Sequence, residues 1–364
     1  MQFFQLSLRS RVSFYVLSLI VLSALSGWAQ SDSISYREIP KEEILAGSAD
    51  NFKLFDEAFY QNQLFLLGES HGVQKPQEVD FELLKHLNQK VGVRYYIAEV
   101  DATKAYYMNQ YLKTGDDATL RKVFRSWVEN KAQWANNDFF RKIQRIRALN
   151  QTLPANRQIQ FVGIDRIHDN KLVAEHLTQL IQGKKLPKAS QPLADSLMQR
   201  LGRPFADRRE DEPAGAWVAG GDVDRAKPFA CLVKESDLYL HDKVVSITFS
   251  YLDSYSMVPT AYLPPFWQDK GKTYTRLDKF NQDSELMHTE GIDAMRAATR
   301  PNSLTLFALD RPGSFARKTP IRIKYAPYMP KTQQMQFDPA HPTTDYFQYV
   351  ILVRNSDMTE PMEP

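Results

Sequence analysis

The residues of this chain best suited to chemistry are an acid and an imidazole two residues apart, in Gly68-Glu69-Ser70-His71-Gly72. A carboxylate beside an imidazole is the pairing used by a general base and the group that orients it. The preceding run, Leu64-Phe65-Leu66-Leu67, reads as a strand, and the two glycines permit a sharp turn after it. Residues two apart on an extended chain point the same way, so Glu69 and His71 can project from one edge. A solvated loop would carry such a pair by chance. The position at the end of an apolar strand favours function, because ligands of open α/β sheets bind outside the carboxyl ends of their strands.

Two further apolar runs end in acids: Tyr95-Tyr96-Ile97-Ala98 before Glu99, and Ile159 to Ile164 before Asp165. One acid at a strand end is usually the N-cap of the next helix. Three strands ending alike point to one site instead, where clustered carboxylates raise each other's proton affinity. Arg166 and His168 follow at once. Arg166 would clamp an anionic group of a substrate or balance the acids, and His168 would add a second imidazole or open a helix. The expected set is therefore His71, Glu69, Glu99 and Asp165 for catalysis, with Arg166 and His168 on the substrate. Trp134, Trp217, Tyr251, Tyr255 and Trp267 are expected to line the wall of the pocket.

The other histidines are less promising. His86 and His176 fall inside helical patterns and read as structural or exposed. His288 also falls in a helical pattern, and His241 and His341 sit in polar stretches. A resident divalent metal needs several converging His and carboxylate groups, which Glu69, His71, Glu99, Asp165 and His168 could supply. However, no His-x-x-x-His or Cys pair occurs. Gly68-Glu69-Ser70-His71-Gly72 spells Gly-x-Ser-x-Gly, but Ser70, adjacent to both Glu69 and His71, points away from them on an extended chain and reads as no nucleophile elbow. The glycine patterns of phosphate and dinucleotide loops are absent.

These groups must be positioned by strands and helices. Pro76 sits in the first turn of a helix whose Val79, Leu83, Leu84, Leu87 and Val91 recur at helical spacing, with Gly92 as its C-cap. Helices are expected at 51–60, 103–112, 117–128 and 137–150. One or two more are expected over 169–201, and two others at 228–236 and 285–298. Later strands are expected at 243–249, 303–309 and 349–353, with a short edge strand at 321–324, and the prolines around 259–265 mark an irregular excursion. The order predicts an α/β fold, a mainly parallel sheet flanked by helices with its cleft at the carboxyl ends of the strands. The strands before Glu69, Glu99 and Asp165 would lie in one sheet. Residues 41–205 would form a first lobe carrying the site and 206–364 a second, or both one continuous domain. Residues 203–221 read as a loop.

At 364 residues, 43% hydrophobic and 24% charged, the chain has the composition of a globular protein with a large core. Arg9 and Arg11, then the apolar run Val12 to Leu25, then Gly27-Trp28-Ala29 follow the order of a secretory signal peptide cleaved after Ala29. The run is shorter than the ~20 residues that span a bilayer. The expectation is thus a periplasmic or secreted protein with no stable membrane insertion, preceded by a linker at 30–40. Removing the two arginines takes the formal charge from +3 to +1, so no nucleic-acid partner is expected. The single cysteine, Cys231, can form no internal disulfide and reads as a small buried hydrophobe. Nothing here sets the oligomeric state.

The chain resembles the erythromycin esterase-like family. The resemblance rests on Leu67-Gly68-Glu69-Ser70-His71-Gly72, Gly92 to Glu99, Asn109 to Asp116, Phe161 to Asp165, and the closing Tyr349 to Val353 with Thr359. It implies an α/β fold with a deep cleft and metal-independent hydrolysis. The histidine of the first motif would act as base on water, a role falling on His71 with Glu69 and Glu99 in support. Only Ser70 separates Glu69 from His71, the shorter spacing of a related group that includes haem-binding proteins. Trp217 stands nearest to where the esterases place a histidine. The functional expectation is a hydrolase of an ester or related acyl bond in a small-molecule substrate, without a cofactor. The alternatives are a protein that binds a divalent metal or haem through the same cluster without turnover, and a structural relative that has lost the site.

Overall fold

Runs of aromatic, aliphatic and β-branched residues become strands here, and apolar residues recurring at helical spacing become helices. The computed structural model describes residues 36–201, 233–331 and 334–363. The expected leader, most of the linker, the 203–221 loop, Trp217 and Cys231 lie outside the described residues. In chain order the elements are β1 (Lys41–Glu43), α1 (Glu57–Tyr60), β2 (Leu64–Gly68), α2 (Gln74–Val91), β3 (Tyr95–Ala98), α3 (Ala102–Thr114), α4 (Asp117–Glu129), α5 (Asn137–Thr152), β4 (Gln160–Gly163), α6 (Asn170–Ile181) and α7 (Gln191–Leu201). They continue with β5 (Val244–Leu252), β6 (Ser256–Pro259), β7 (Tyr274–Leu277), β8 (Met287–Thr289), α8 (Ile292–Ala297), β9 (Leu304–Ala308), β10 (Ile323–Tyr325), α9 (Thr343–Tyr346) and β11 (Tyr349–Arg354).

The fold is mixed α/β, a central sheet with helices on its flanks. Five strands run in the order β1-β9-β11-β5-β2. β2, β5 and β11 are parallel, while β9 runs antiparallel to β11 and to β1. β11 is buried along its whole length because both faces are covered, as expected for a central strand. Tyr349, Ile351 and Val353 face one core with α2, and Val350 and Leu352 face another with Ile292 and Met295 of α8.

One expectation of the topology is corrected. β3 and β4 pair in parallel as their own two-stranded ladder, and β2 pairs with β5, 180 residues away, rather than with β3. α2 lies between the two groups of strands. Its Val79, Leu83 and Leu87 pack on the five-stranded sheet, and its Phe81 and Leu84 join the core of β3, β4, α3, α4 and α5. Hydrophobic burial along both stripes of α2 holds the end of β2 and the end of β3 side by side.

Two local expectations also change. The helix expected at 51–60 shrinks to Glu57–Tyr60. The one expected at 285–298 becomes strand β8, Gly291 at φ 86° and the short α8, because β10 offers β8 a hydrogen-bonding edge. The irregular excursion expected near 259–265 holds two 3-10 turns and lies between the antiparallel pair β6 and β7. Among the described residues no helix is long and apolar enough to cross a membrane.

The chain's last described residues lace the site's frame together. The residue before α2, Val73, has no side chain that could cap its first N–H groups. Gln74 N donates instead to Asp357 O at 2.9 Å and Lys75 N to Ser356 Oγ at 3.0 Å. Thr359 is fully buried, and its N–H donates to Gly72 O at 2.8 Å. Glu360 N donates to Asp138 Oδ2 at 2.7 Å, at the start of α5.

Candidate functional site

Gly72 shows why the first motif ends in glycine. Its φ is 82°, and a Cβ there would stand 2.4 Å from Met257 O. The close approach is made by β6, whose Met257 N donates to Gly72 O at 2.8 Å. The turn after His71 is therefore pinned by backbone from β6 and from the C-terminal segment, and Gln133 Nε2 donates to His71 O at 3.1 Å. Gly163 is a second such place. A Cβ would meet Asp101 O at 2.5 Å, so only glycine lets β4 end against the turn after β3.

His71 projects from this pinned turn toward the end of β3. Its Nε2 lies 3.3 Å from Glu99 Oε2, and its ring centroid is 4.2 Å from that of Trp134. The imidazole is 36% exposed and the Glu99 side chain 67%. Its Nδ1 is fully buried with no hydrogen-bond partner, so the accessible part of the ring lies away from Nδ1. Burial pulls the His71 pKa down. The hydrogen bond to Glu99 and the charges of Glu69 and Glu99 outweigh it and leave the value raised. Glu99 shows the converse: its hydrogen bond to His71 comes first and holds its carboxyl below the usual range, against partial burial.

Glu69 sits deeper. Gln77 Nε2 donates to its Oε1 at 2.7 Å. It keeps a little exposed surface, yet protein surrounds it closely enough that desolvation pushes its pKa up to about 7. Lys142, His71 and the Gln77 hydrogen bond work against that rise, and Asp80 adds to it. Glu69 therefore changes protonation near neutral pH, the range in which general acids and bases are effective, and His71 holds its proton more tightly than an ordinary imidazole.

Beneath them lies a buried polar cluster that the sequence reading did not single out. Lys142 Nζ donates to Asp80 Oδ2 at 2.5 Å and to the Tyr96 hydroxyl at 3.2 Å, and Tyr96 donates to Asp80. The signal for Lys142 was present: Phe139, Lys142, Ile143 and Ile146 share one helical stripe, so a lysine occupies a core position of α5. Asp80 and Gln77, three apart on α2, interrupt its apolar faces in the same way. Tyr251, on β5, closes the other side; its hydroxyl accepts from Ser70 N at 3.1 Å. Burial and the Glu69 charge push that phenol well above its usual value.

The third strand end forms a neighbouring pair. His168 Nε2 is 3.1 Å from Asp165 Oδ2, and Asp165 Oδ1 accepts from Arg166 N at 2.7 Å. Asp165 N donates to Val100 O at 3.0 Å, which ties the ends of β3 and β4. Asp165 is near enough that its charge acts on Glu99. The Arg166 side chain is exposed. Neither Glu99 nor Asp165 caps a helix, since Asp101 caps α3 and Asp169 caps α6, accepting from Leu172 N at 2.9 Å. Loss of that cap in Asp169→Ala costs about 1 kcal/mol. Chemical denaturation should show a clearly smaller loss for Asp165→Ala, and equal losses would make Asp165 structural.

Of the expected aromatic wall, Trp134 and Tyr251 reach the site. Tyr255 lies under the Arg276 guanidinium, and Trp267 packs on Val258, Leu263 and Leu277. His86 meets the Tyr60 hydroxyl at 2.7 Å, and desolvation takes its pKa to about 4, so it is structural. His341 pairs with Asp345 at 2.9 Å, and His288 lies in strand β8 rather than in a helix. Among the described residues no three His, Cys, Asp or Glu side chains form a group that could hold a metal ion.

No family model matches the chain, and no curated protein matches it. Among solved structures, a Bacillus cereus protein matches at 11% identity and a TM-score of 0.51, covering 92% of this chain and 99% of its own. A succinoglycan biosynthesis protein matches at 13% and 0.51, with coverage of 92% and 98%. A mutant erythromycin esterase in its open conformation gives 13% and 0.48, with 86% and 95% covered. The first two likenesses show a shared fold at a distance, spanning nearly the whole of each chain.

Proposed function

We propose that the protein is a hydrolase of an ester or related acyl bond, working by general acid–base catalysis on water. The observation that carries this reading is the His71–Glu99 pair at 3.3 Å beside Glu69, whose carboxyl is pushed up to about 7. His71 takes a proton from water at Nε2, the nitrogen on the accessible side of the ring, as the water oxygen attacks the acyl carbon, and the imidazolium returns that proton to the departing alkoxide. Glu99, on the accessible side of the ring, steadies the imidazolium. Glu69 holds or releases a proton beneath it. Asp165, whose charge reaches Glu99, meets a polar substrate together with His168, its partner, and Arg166, the next residue. The leader pattern over residues 9–29 supports export to the periplasm or the medium.

The test is hydrolysis of p-nitrophenyl acetate and butyrate and of a macrocyclic lactone by the purified protein, followed from pH 5 to 9. Turnover of at least one, falling on the acid side as the base becomes protonated, is the expected result. No release above background from any of them sinks the reading.

A further inference from the structure

Glu69 is faced by charged or titratable groups from four elements: Lys142 of α5, Asp80 of α2, Tyr96 of β3 and Tyr251 of β5. His71, two residues on, and Glu99 complete the set. Lys142 and Asp80 are 4% and 9% exposed. One buried ammonium thus balances two acids, Glu69 and Asp80. Stability does not explain such an arrangement, because well-packed hydrophobic residues in place of a buried ion pair are often equally or more stable. Geometry does: Asp80 and the Tyr96 hydroxyl hold the ammonium from two sides, fixing where its field acts.

We propose that Lys142 is a positioning residue for the reacting centre: Asp80 and Tyr96 hold its ammonium about one turn of α2 from the Gln77–Glu69 hydrogen bond, where its charge governs the pH at which the site works. This rests on the hydrolase reading for its role in turnover, but not for its electrostatics. The positive charge of Lys142 draws protons off both Glu69 and His71, whereas the negative charge of Asp80 favours the proton on Glu69. The two partners of one ion pair should therefore act in opposite directions on the same group.

The experiment compares wild type, Lys142→Met, Asp80→Asn and the double variant. The pH dependence of p-nitrophenyl ester hydrolysis is one readout. Two others need no turnover: the infrared carboxyl band that Glu69→Gln deletes, and the 15N imidazole titration that His71→Asn deletes. Lys142→Met should move the Glu69 and His71 titrations and the acid limb of the rate to higher pH, and Asp80→Asn should move the Glu69 titration to lower pH. The double variant removes both halves of the Lys142–Asp80 ion pair, so neither is left buried without the other. It should fold and shift upward, since the effect of Lys142 on Glu69 exceeds that of Asp80; it carries the test if Lys142→Met does not fold. Shifts of the same sign in both single variants, or none in the double, overturn the inference. Titrations that move in a protein without esterase activity uphold it and dismiss the hydrolase reading. Turnover with unmoved titrations does the reverse.

Discussion

Replacing His71 with alanine lowers kcat/KM for the best ester substrate by about 10²–10⁴-fold, the usual worth of a positioned general base. The fold hardly notices. The imidazole is 36% exposed, its ion-pair partner Glu99 is 67% exposed, and its Nδ1 makes no hydrogen bond. An exposed pair contributes about 0–1 kcal/mol, and the ring contact with Trp134 adds little to that. Thermal unfolding should therefore shift by only a few degrees, in line with about 1 kcal/mol for a domain of this size. The decisive measurement is steady-state kinetics beside calorimetry on the same preparations. Activity within tenfold of wild type would remove His71 from the mechanism, and a collapse of stability would make the loss of activity uninformative.

Glu69→Gln should stabilise the protein above neutral pH, an opposite outcome for a neighbour two residues away. The folded carboxyl has a pKa of about 7 against the ordinary value of 4.5. The native state thus holds this proton more tightly than the unfolded chain does. Its contribution is complete below the unfolded pKa and is lost as pH rises from there through 7, a loss of about 3 kcal/mol at most. The amide introduced by Glu69→Gln keeps an oxygen for the Gln77 hydrogen bond but carries no charge to desolvate. The variant should match wild type near pH 4.5 and exceed it at pH 8 by about 2–3 kcal/mol. His71 complicates only the amplitude: its pKa is raised as well, so its stabilisation is also present at low pH and lost as pH rises. Urea unfolding at the two pH values checks the prediction. A Glu69→Gln variant less stable than wild type at pH 8 would show that Glu69 is favourably ionised in the fold. A gain in stability with loss of turnover would mark a group kept strained for chemistry.

The local pattern of the chain was enough for much of this. Apolar runs closed by acids located β2, β3 and β4, and the stripe from Val79 to Leu87 with Gly92 located α2 within two residues at either end. Those features depend on neighbours three or four positions apart, which periodicity records directly. The same holds for the site's raw materials, Glu69, His71, Glu99 and Asp165, each legible as the polar residue after a strand.

What the sequence did not contain was who meets whom. His71 pairs with Glu99 from β3 rather than with the acid beside it, because α2 packs on two cores at once and brings the two strand ends together. β2 hydrogen-bonds to β5 and leaves β3 to β4, although the chain order favours neighbours. Lys142, Asp80 and Tyr96 come from three segments up to 62 residues apart, and each looks like an isolated polar residue on an apolar face until the fold closes them into one cluster. The sequence by itself determined the elements and the chemical groups at their ends. Only the tertiary structure decided their pairing and, through burial, that Glu69 holds its proton near neutral pH, since desolvation and charge act through space and not along the chain.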